Sequence, residues 1–342
     1  MSTAGTLEYA TMTPSGPGRP WAHRLAVVLA GLTFILIVAG ANVTSKNVGL
    51  AVPDWPLSFQ SVNPPGWLTN MDGTRPGVRD EHGHRLIGAL TGLIVIALVV
   101  ALFVQERRVW VRRLGVIALL AVIAQGVMGG LRVWERSLGW AIVHGCFGQA
   151  FFCLTLALAA VTSPRWRREF AGAGERGSKQ AASPTTAARP DQYRALRTWT
   201  AVTAAFVYAQ LILGALTRHT GTNGWAVLHV GGALGVGACL ILAAQHAFAR
   251  PEWERHLAAP MIALFALFGL QLLLGVATYV LVLSMLGPDP TTAMQAYVPT
   301  IHVAVGALIL GASFIVALRA FAIGGTGSGG ARTPSGGGEA SA

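Results

Sequence analysis

The chain is poor in charge. Of its 342 residues only 11% are Asp, Glu, Lys or Arg, where a soluble globular protein carries roughly a quarter. That scarcity excludes an ordinary water-covered surface. Cysteine is scarce as well: three residues, with no CxxC or CxxCH spacing, which excludes thioether attachment of a prosthetic group. Cys146 and Cys153 lie seven residues apart in one apolar stretch, about 10 Å along a helix, too far for a disulfide. Acidic residues number 14 against 25 basic ones. They form no cluster in the apolar segments, so a carboxylate-lined metal cage is excluded too.

Long apolar runs are what the chain has in abundance, 53% of it being hydrophobic. At about 20 residues per crossing, they predict eight spans, at 22–42, 84–104, 114–133, 139–162, 198–217, 225–247, 259–285 and 298–322. The first ends in Ala39-Gly40-Ala41-Asn42, like a cleavable leader. Seven further spans follow it, so a retained helix is the expectation. The net charge of +11 gathers in alternate loops: Arg107, Arg108, Arg112 and Arg113; then eight basic residues from Arg165 to Arg197; then Arg250 and Arg255. Loop charge of this kind places both termini in the cytoplasm of a cell (inner) membrane and needs no nucleic acid to explain it. Membrane lipid is the expected surrounding.

The fold class expected is all-α: a polytopic membrane protein whose eight helices form two pseudo-symmetric four-helix bundles. Residues 1–21 read as a cytoplasmic tail, 22–162 as the first bundle, 163–196 as a linker, 197–322 as the second bundle and 323–342 as a Gly/Ser tail. Internal likeness supports the repeat. Gln125-x-x-x-Gly129 parallels Gln271-x-x-x-Gly275, and Gly40-Ala41-Asn42-Val43 parallels Gly214-Ala215-Leu216-Thr217. Small residues at Gly88, Gly92, Gly129, Gly130, Gly231 and Gly235 suit close helix contacts. The stretch 43–83, rich in Pro and Gly and carrying Pro53-Asp54-Trp55-Pro56 and Trp67, reads as a structured cap at the outer interface.

Four histidines open apolar helical stretches: His84, His144, His229 and His302. An ionisable ring in a membrane is costly and is a functional candidate by default. His84 corresponds to His229 in the repeat, and His144 to His302. Taken singly, each reads as an interfacial residue. Four at equivalent places and similar depth read as two facing pairs, the way four-helix bundles build cofactor sites. Glycines follow at Gly88, Gly148, Gly232 and Gly306, on the same helix face, leaving a bare patch where a flat macrocycle could lie. Neutral imidazole is a good iron ligand, so the pattern points to haem. The remaining histidines, His82 and His219 among them, read as polar surface.

Glu81 stands three residues before His84 and neighbours it on a helix. It could orient the ring, move protons or act on a bound intermediate, or simply favour a helix N-terminus. Arg85, Arg132 and Arg218 lie near the same outer face and are candidate contacts for haem propionates.

Glu81-x-x-His84-Arg85, the Pro53–Pro56 run, Gly214-Ala215-Leu216-Thr217-Arg218-His219-Thr220-Gly221 and the order of the later histidines together resemble the haem A synthase family, over about residues 22–322. The resemblance implies oxidation of the haem O C8 methyl group to a formyl group, giving haem A for terminal oxidases. It implies haem b as cofactor, held by His229 and His302, with His84 and His144 flanking the substrate and Glu81 catalytic. Haem O is then the substrate. Haem O synthase is a candidate partner, the electron donor is unassigned, and a homo-oligomer is compatible. Ala226 stands where the second half would repeat Glu81, which fits a division of labour between halves. Two departures stand out. Val52 occupies a place where relatives often carry cysteine, and the arginine-containing pattern of the second half is degraded in the first to Thr44-Ser45-Lys46-Asn47, where Lys46 could replace the missing charge. Two other readings share the histidines: a bis-histidine b-type cytochrome carrying electrons, and a haem transporter or chaperone.

Overall fold

Eight long helices account for most of the computed structural model, which describes residues 21–68, 77–171, 189–284 and 292–327. They are α1 (Trp21–Ser45), α2 (Val78–Gln105), α3 (Val109–Glu135), α4 (Leu138–Thr162), α5 (Pro190–Thr220), α6 (Asn223–Ala247), α7 (Pro251–Thr278) and α8 (Ala293–Gly327). Each is long and apolar enough to cross a membrane, and the described residues form no sheet. The protein is a multi-pass membrane protein, and the all-α expectation holds.

Local chemistry sets the helix ends. Ser137 caps α4, its hydroxyl accepting the Trp140 N–H at 3.3 Å, as an N-cap serine does. Pro190 and Pro251 occupy first-turn positions of α5 and α7, where a missing N–H costs nothing. α5 stops at Gly221, whose φ of 64° is the left-handed turn that glycine tolerates. α3 stops at Arg136 with φ 49°, without that help.

Two rings of helices result. α1 packs on α2 and α4, and α3 closes the ring; α5 packs on α6 and α8, and α7 closes the second. Leu29, Leu98, Leu102 and Leu158 fill the first core; Leu240, Trp253, Leu257, Met261 and Leu264 fill the second. α1 and α4 meet α5 and α8 at the seam between the rings. There Phe152 and Leu156 close over Gly311, and the Tyr208 hydroxyl donates to the Cys146 carbonyl at 3.1 Å. The chain alternates ends, so α2, α4, α6 and α8 all start at the end that carries residues 46–68, here the loop end.

Several boundaries differ from expectation. The linker expected over 163–196 starts as a one-turn helix, Pro164–Trp166, and a π-helical turn, Arg167–Ala171. α5 starts at Pro190 and α8 runs on to Gly327. Polar groups tie the start of the linker to neighbouring segments. Arg167 pairs with Glu106 at 3.1 Å, and Glu169 approaches His256 at 3.6 Å. The first twenty residues, the middle of the linker and the last fifteen residues lie outside the described part. Not every small residue expected at a helix contact is one: a Cβ on Gly92 or Gly231 would meet nothing within 4 Å.

Candidate functional site

His84, His144 and His229 each sit six residues past the start of α2, α4 and α6 (78, 138 and 223), at the loop end. His302 sits in the early turns of α8, just after Pro299. The rings meet in two pairs. The centroids of His84 and His144 are 6.5 Å apart with planes inclined at 80°. Those of His229 and His302 are 6.2 Å apart at 77°.

Each ring rests on a glycine of the helix before it. A Cβ on Gly40 would stand 3.0 Å from His84 Cε1; on Gly129, 3.4 Å from His144 Cε1; on Gly214, 2.9 Å from His229 Cε1; on Gly275, 3.3 Å from His302 Cε1. These glycines let a helix backbone come up against an imidazole. The bare patches expected beside the histidines are a different set, and the structure fills three of them. The Gln125 amide occupies the space beside Gly148, Gln210 that beside Gly232 and Gln271 that beside Gly306.

The same glutamines hold the histidines. His144 Nδ1 lies 3.1 Å from the Gln125 carbonyl, and Gln125 Nε2 donates to the His144 carbonyl at 3.2 Å. His229 Nδ1 lies 3.1 Å from the Gln210 carbonyl, and Gln210 Nε2 donates to the His229 carbonyl. Gln271 Nε2 lies 3.3 Å from His302 Nε2. A carbonyl only accepts, so in His144 and His229 the proton sits on Nδ1. Nε2 then keeps its lone pair, which is the tautomer a metal requires.

No group of three or more His, Cys, Asp or Glu side chains capable of holding a bare metal ion occurs among the described residues. Two axial imidazoles suit a metal whose other ligands come with it, as iron in a porphyrin does. With each ligating nitrogen about 2 Å from the metal, ring centroids fall roughly 6 Å apart. Both pairs fit that requirement.

Glu81 is buried, 5% exposed. Its Oε2 accepts the Val52 N–H at 2.9 Å, and its Oε1 pairs with Arg85 Nη2 at 2.8 Å. It is not bonded to His84. Arg85 is equally committed: it donates to the carbonyls of Asp54, Leu57 and Val52 at 2.6, 2.7 and 3.3 Å and to the Ser58 hydroxyl at 3.4 Å. Its guanidinium pins the loop, so it has no free donor fork for a propionate. Arg132 makes no hydrogen bond or ion pair among the described residues. It lies over Gly49 and within Coulombic reach of Glu81. Arg218 Nη2 donates to the Thr44 carbonyl at 3.2 Å, across the seam. Lys46 is taken by Asp80 at 2.9 Å and lies 5.8 Å from the Tyr297 ring centroid.

The loop over the first pair is the structured cap the sequence led us to expect. Trp55 packs on Gly130 and meets Trp134 edge-on at 5.2 Å. Asp54 accepts the main-chain N–H groups of Phe59 and Gln60, both at 2.7 Å. Burial works against its ionisation, but those two bonds and the Arg85 charge outweigh it and hold the carboxyl below its usual range. His82 corrects the expectation of polar surface: it is 3% exposed, with Nδ1 2.8 Å from the Ser58 hydroxyl and Trp67 edge-on at 4.8 Å. His219 faces Arg132 and Arg218. The sequence reading missed Gln210, although Gln210-x-x-x-Gly214 repeats the spacing of the two glutamine–glycine pairs it did find.

Comparison with known proteins adds an independent finding. Residues 23–227 match the family model COX15-CtaA, described as cytochrome oxidase assembly protein. A protein of Symbiobacterium thermophilum named "Heme A synthase" is 30% identical over 209 residues, covering 58% of this chain and 62% of that protein. Another of the same name, from an Exiguobacterium species, is 26% identical over 121 residues, covering 34% of this chain and 37% of that one. The chain thus spans under two thirds of the length of either curated relative.

Proposed function

Given that the chain belongs to the COX15-CtaA family of cytochrome oxidase assembly proteins, we propose that it is a haem A synthase. In this reading it oxidises the C8 methyl group of haem O to a formyl group, in two successive hydroxylations whose geminal diol loses water to the aldehyde. Conversion of methyl to formyl takes up one oxygen atom and removes four electrons, which an oxidant outside the protein accepts; a bound haem b would supply the redox chemistry that side chains lack. The reading rests on one observation above all: two facing imidazole pairs, 6.5 and 6.2 Å between centroids.

His229 and His302 hold haem b, and His84 and His144 bracket haem O in the α1–α4 half. The main-chain carbonyls of Gln125 and Gln210 keep the Nδ1 proton in place, so Nε2 stays available to iron. Glu81 is a buried carboxylate three residues before His84, and the second half has Ala226 in its place. It serves as the proton-handling group, with Val52 N–H and Arg85 fixing both oxygens. Arg132 and Arg218 are the guanidinium groups with donors left for propionates. The loop end faces outward across a cell membrane, with both termini in the cytoplasm, as the basic linker and the α2–α3 and α6–α7 turns favour.

Expression beside a haem O source, followed by chromatography of extracted haems, tests the proposal. Haem A accumulates if it is right. Two firmly held b-type haems with haem O left untouched would instead make this an electron carrier. Replacing His229 and His302 together by alanine removes the resident low-spin pigment; full pigment in that variant overturns the ligand assignment.

A further inference from the structure

The turn between α2 and α3 carries positive charge that nothing around it answers. Its one acid, Glu106, is taken by Arg108 and Arg167. Arg112 gives its Nε to the Glu106 carbonyl and lies 5.9 Å from the Phe103 ring centroid, and its Nη groups make no hydrogen bond among the described residues. Arg113 is exposed and makes no hydrogen bond or ion pair among them. These two guanidinium groups border a cleft of about 450 Å³, whose other walls are Phe103, Val109, Val116 and Ile117. All four apolar side chains are more than a third exposed, so the cleft opens on the outer surface of the first ring of helices. The fold does not demand the arginine pair. In the register that aligns Gln125 with Gln271, the second half has Ala258 and Ala259 in their place, and Arg250 near that turn is paired with Glu252 and bonded to Gln192.

Position says what fits there. α2 and α3 are both membrane spans, and the cleft lies where one ends at Gln105 and the other begins at Val109. Its floor is apolar, as the acyl region of a bilayer is, and its rim is cationic, as a surface that attracts anionic headgroups is. A zwitterionic headgroup would set its own cation beside two guanidinium groups. A second copy docking here about a two-fold axis presents the same patch, so arginine would face arginine. We propose that this cleft binds an anionic glycerophospholipid, its phosphate on Arg112 and Arg113 and the first part of an acyl chain along Phe103, Val116 and Ile117. The site stands on the membrane setting of the eight helices and is independent of the haem reading.

The test is native mass spectrometry of the full chain in detergent, titrated with phosphatidylglycerol, phosphatidylcholine or glycerol phosphate. Phosphatidylglycerol is retained in preference to the other two. Arg113→Gln weakens its binding about fivefold, the worth of one basic residue near a membrane surface. Arg107→Gln, an exposed arginine of the same turn outside the cleft, leaves it unchanged. Ile117→Trp fills the cleft, keeps both charges and displaces the lipid. Equal retention of phosphatidylcholine, undiminished binding in Arg113→Gln, or glycerol phosphate held as firmly as the lipid each overturns the proposal. So do dimers of the wild-type protein that Ile117→Trp abolishes, which would make the cleft an interface between copies.

Discussion

Glu81 and His84 lie three residues apart on one face of α2 and share no hydrogen bond. The carboxylate turns to Val52 and Arg85, and the imidazole turns to Gly40 and His144. The acid is therefore held by the loop and the ring by α1, which separates their roles experimentally. Glu81→Gln keeps the ring in place and leaves pigment binding intact. Conversion of haem O falls about a hundredfold, the usual scale for losing a proton-transfer group, as read by chromatography of extracted haems.

Arg85→Ala removes the bonds that hold residues 52–58 against α2 and strands the buried Glu81 charge. Breaking one side of a buried pair costs about 3–5 kcal/mol. The variant unfolds at lower temperature, and a protease cuts within residues 46–68 faster than in the wild-type protein, with the helices themselves protected.

The four glycines under the histidines form a graded series. Adding a methyl group at Gly214 or Gly40 brings it within 2.9 or 3.0 Å of an imidazole carbon; at Gly275 and Gly129 the gaps are 3.3 and 3.4 Å. Overpacking costs about 1–3 kcal/mol, and here a ring must move to relieve it. Gly214→Ala lowers pigment occupancy most, Gly129→Ala least. Absorbance per mole of purified protein gives the order.

At the opposite end, Glu106 is buried against Arg108 and Arg167. Burial alone would raise its carboxyl, but the bonds from Arg108 and the Arg167 charge outweigh that and bring it from 4.5 down to about 2. A carboxylate depressed on folding stabilises the fold above its ordinary value, and that stability is lost as pH falls toward the depressed one. The stability gap between the wild-type protein and Glu106→Gln, measured by thermal melting, is therefore constant near neutrality and closes between pH 4.5 and 2.

Helix number and the placing of the four histidines were legible in the sequence. Apolar length marks a span, and a polar ring in such a span needs a reason. What lay beyond reach were the partners each side chain chooses across space. Arg85 reads as a ligand contact by position, yet four of its bonds go to residues 27–33 positions away in the loop. His82 reads as surface until Ser58 and Trp67 fold over it. The glycines that matter most were misassigned for the same reason. Spacing along one helix finds Gly148 and Gly306, whereas the ring rests on Gly129 and Gly275 of the helix before, and only packing between helices reveals that.

Each histidine takes its seat on the helix that immediately precedes it in the chain: α1 for His84, α3 for His144, α5 for His229 and α7 for His302. Every one of these imidazoles is thus seated within a single helical hairpin. The seat of each ring is therefore a contact between neighbours in sequence, and only the pairing of two rings calls on separate hairpins to meet.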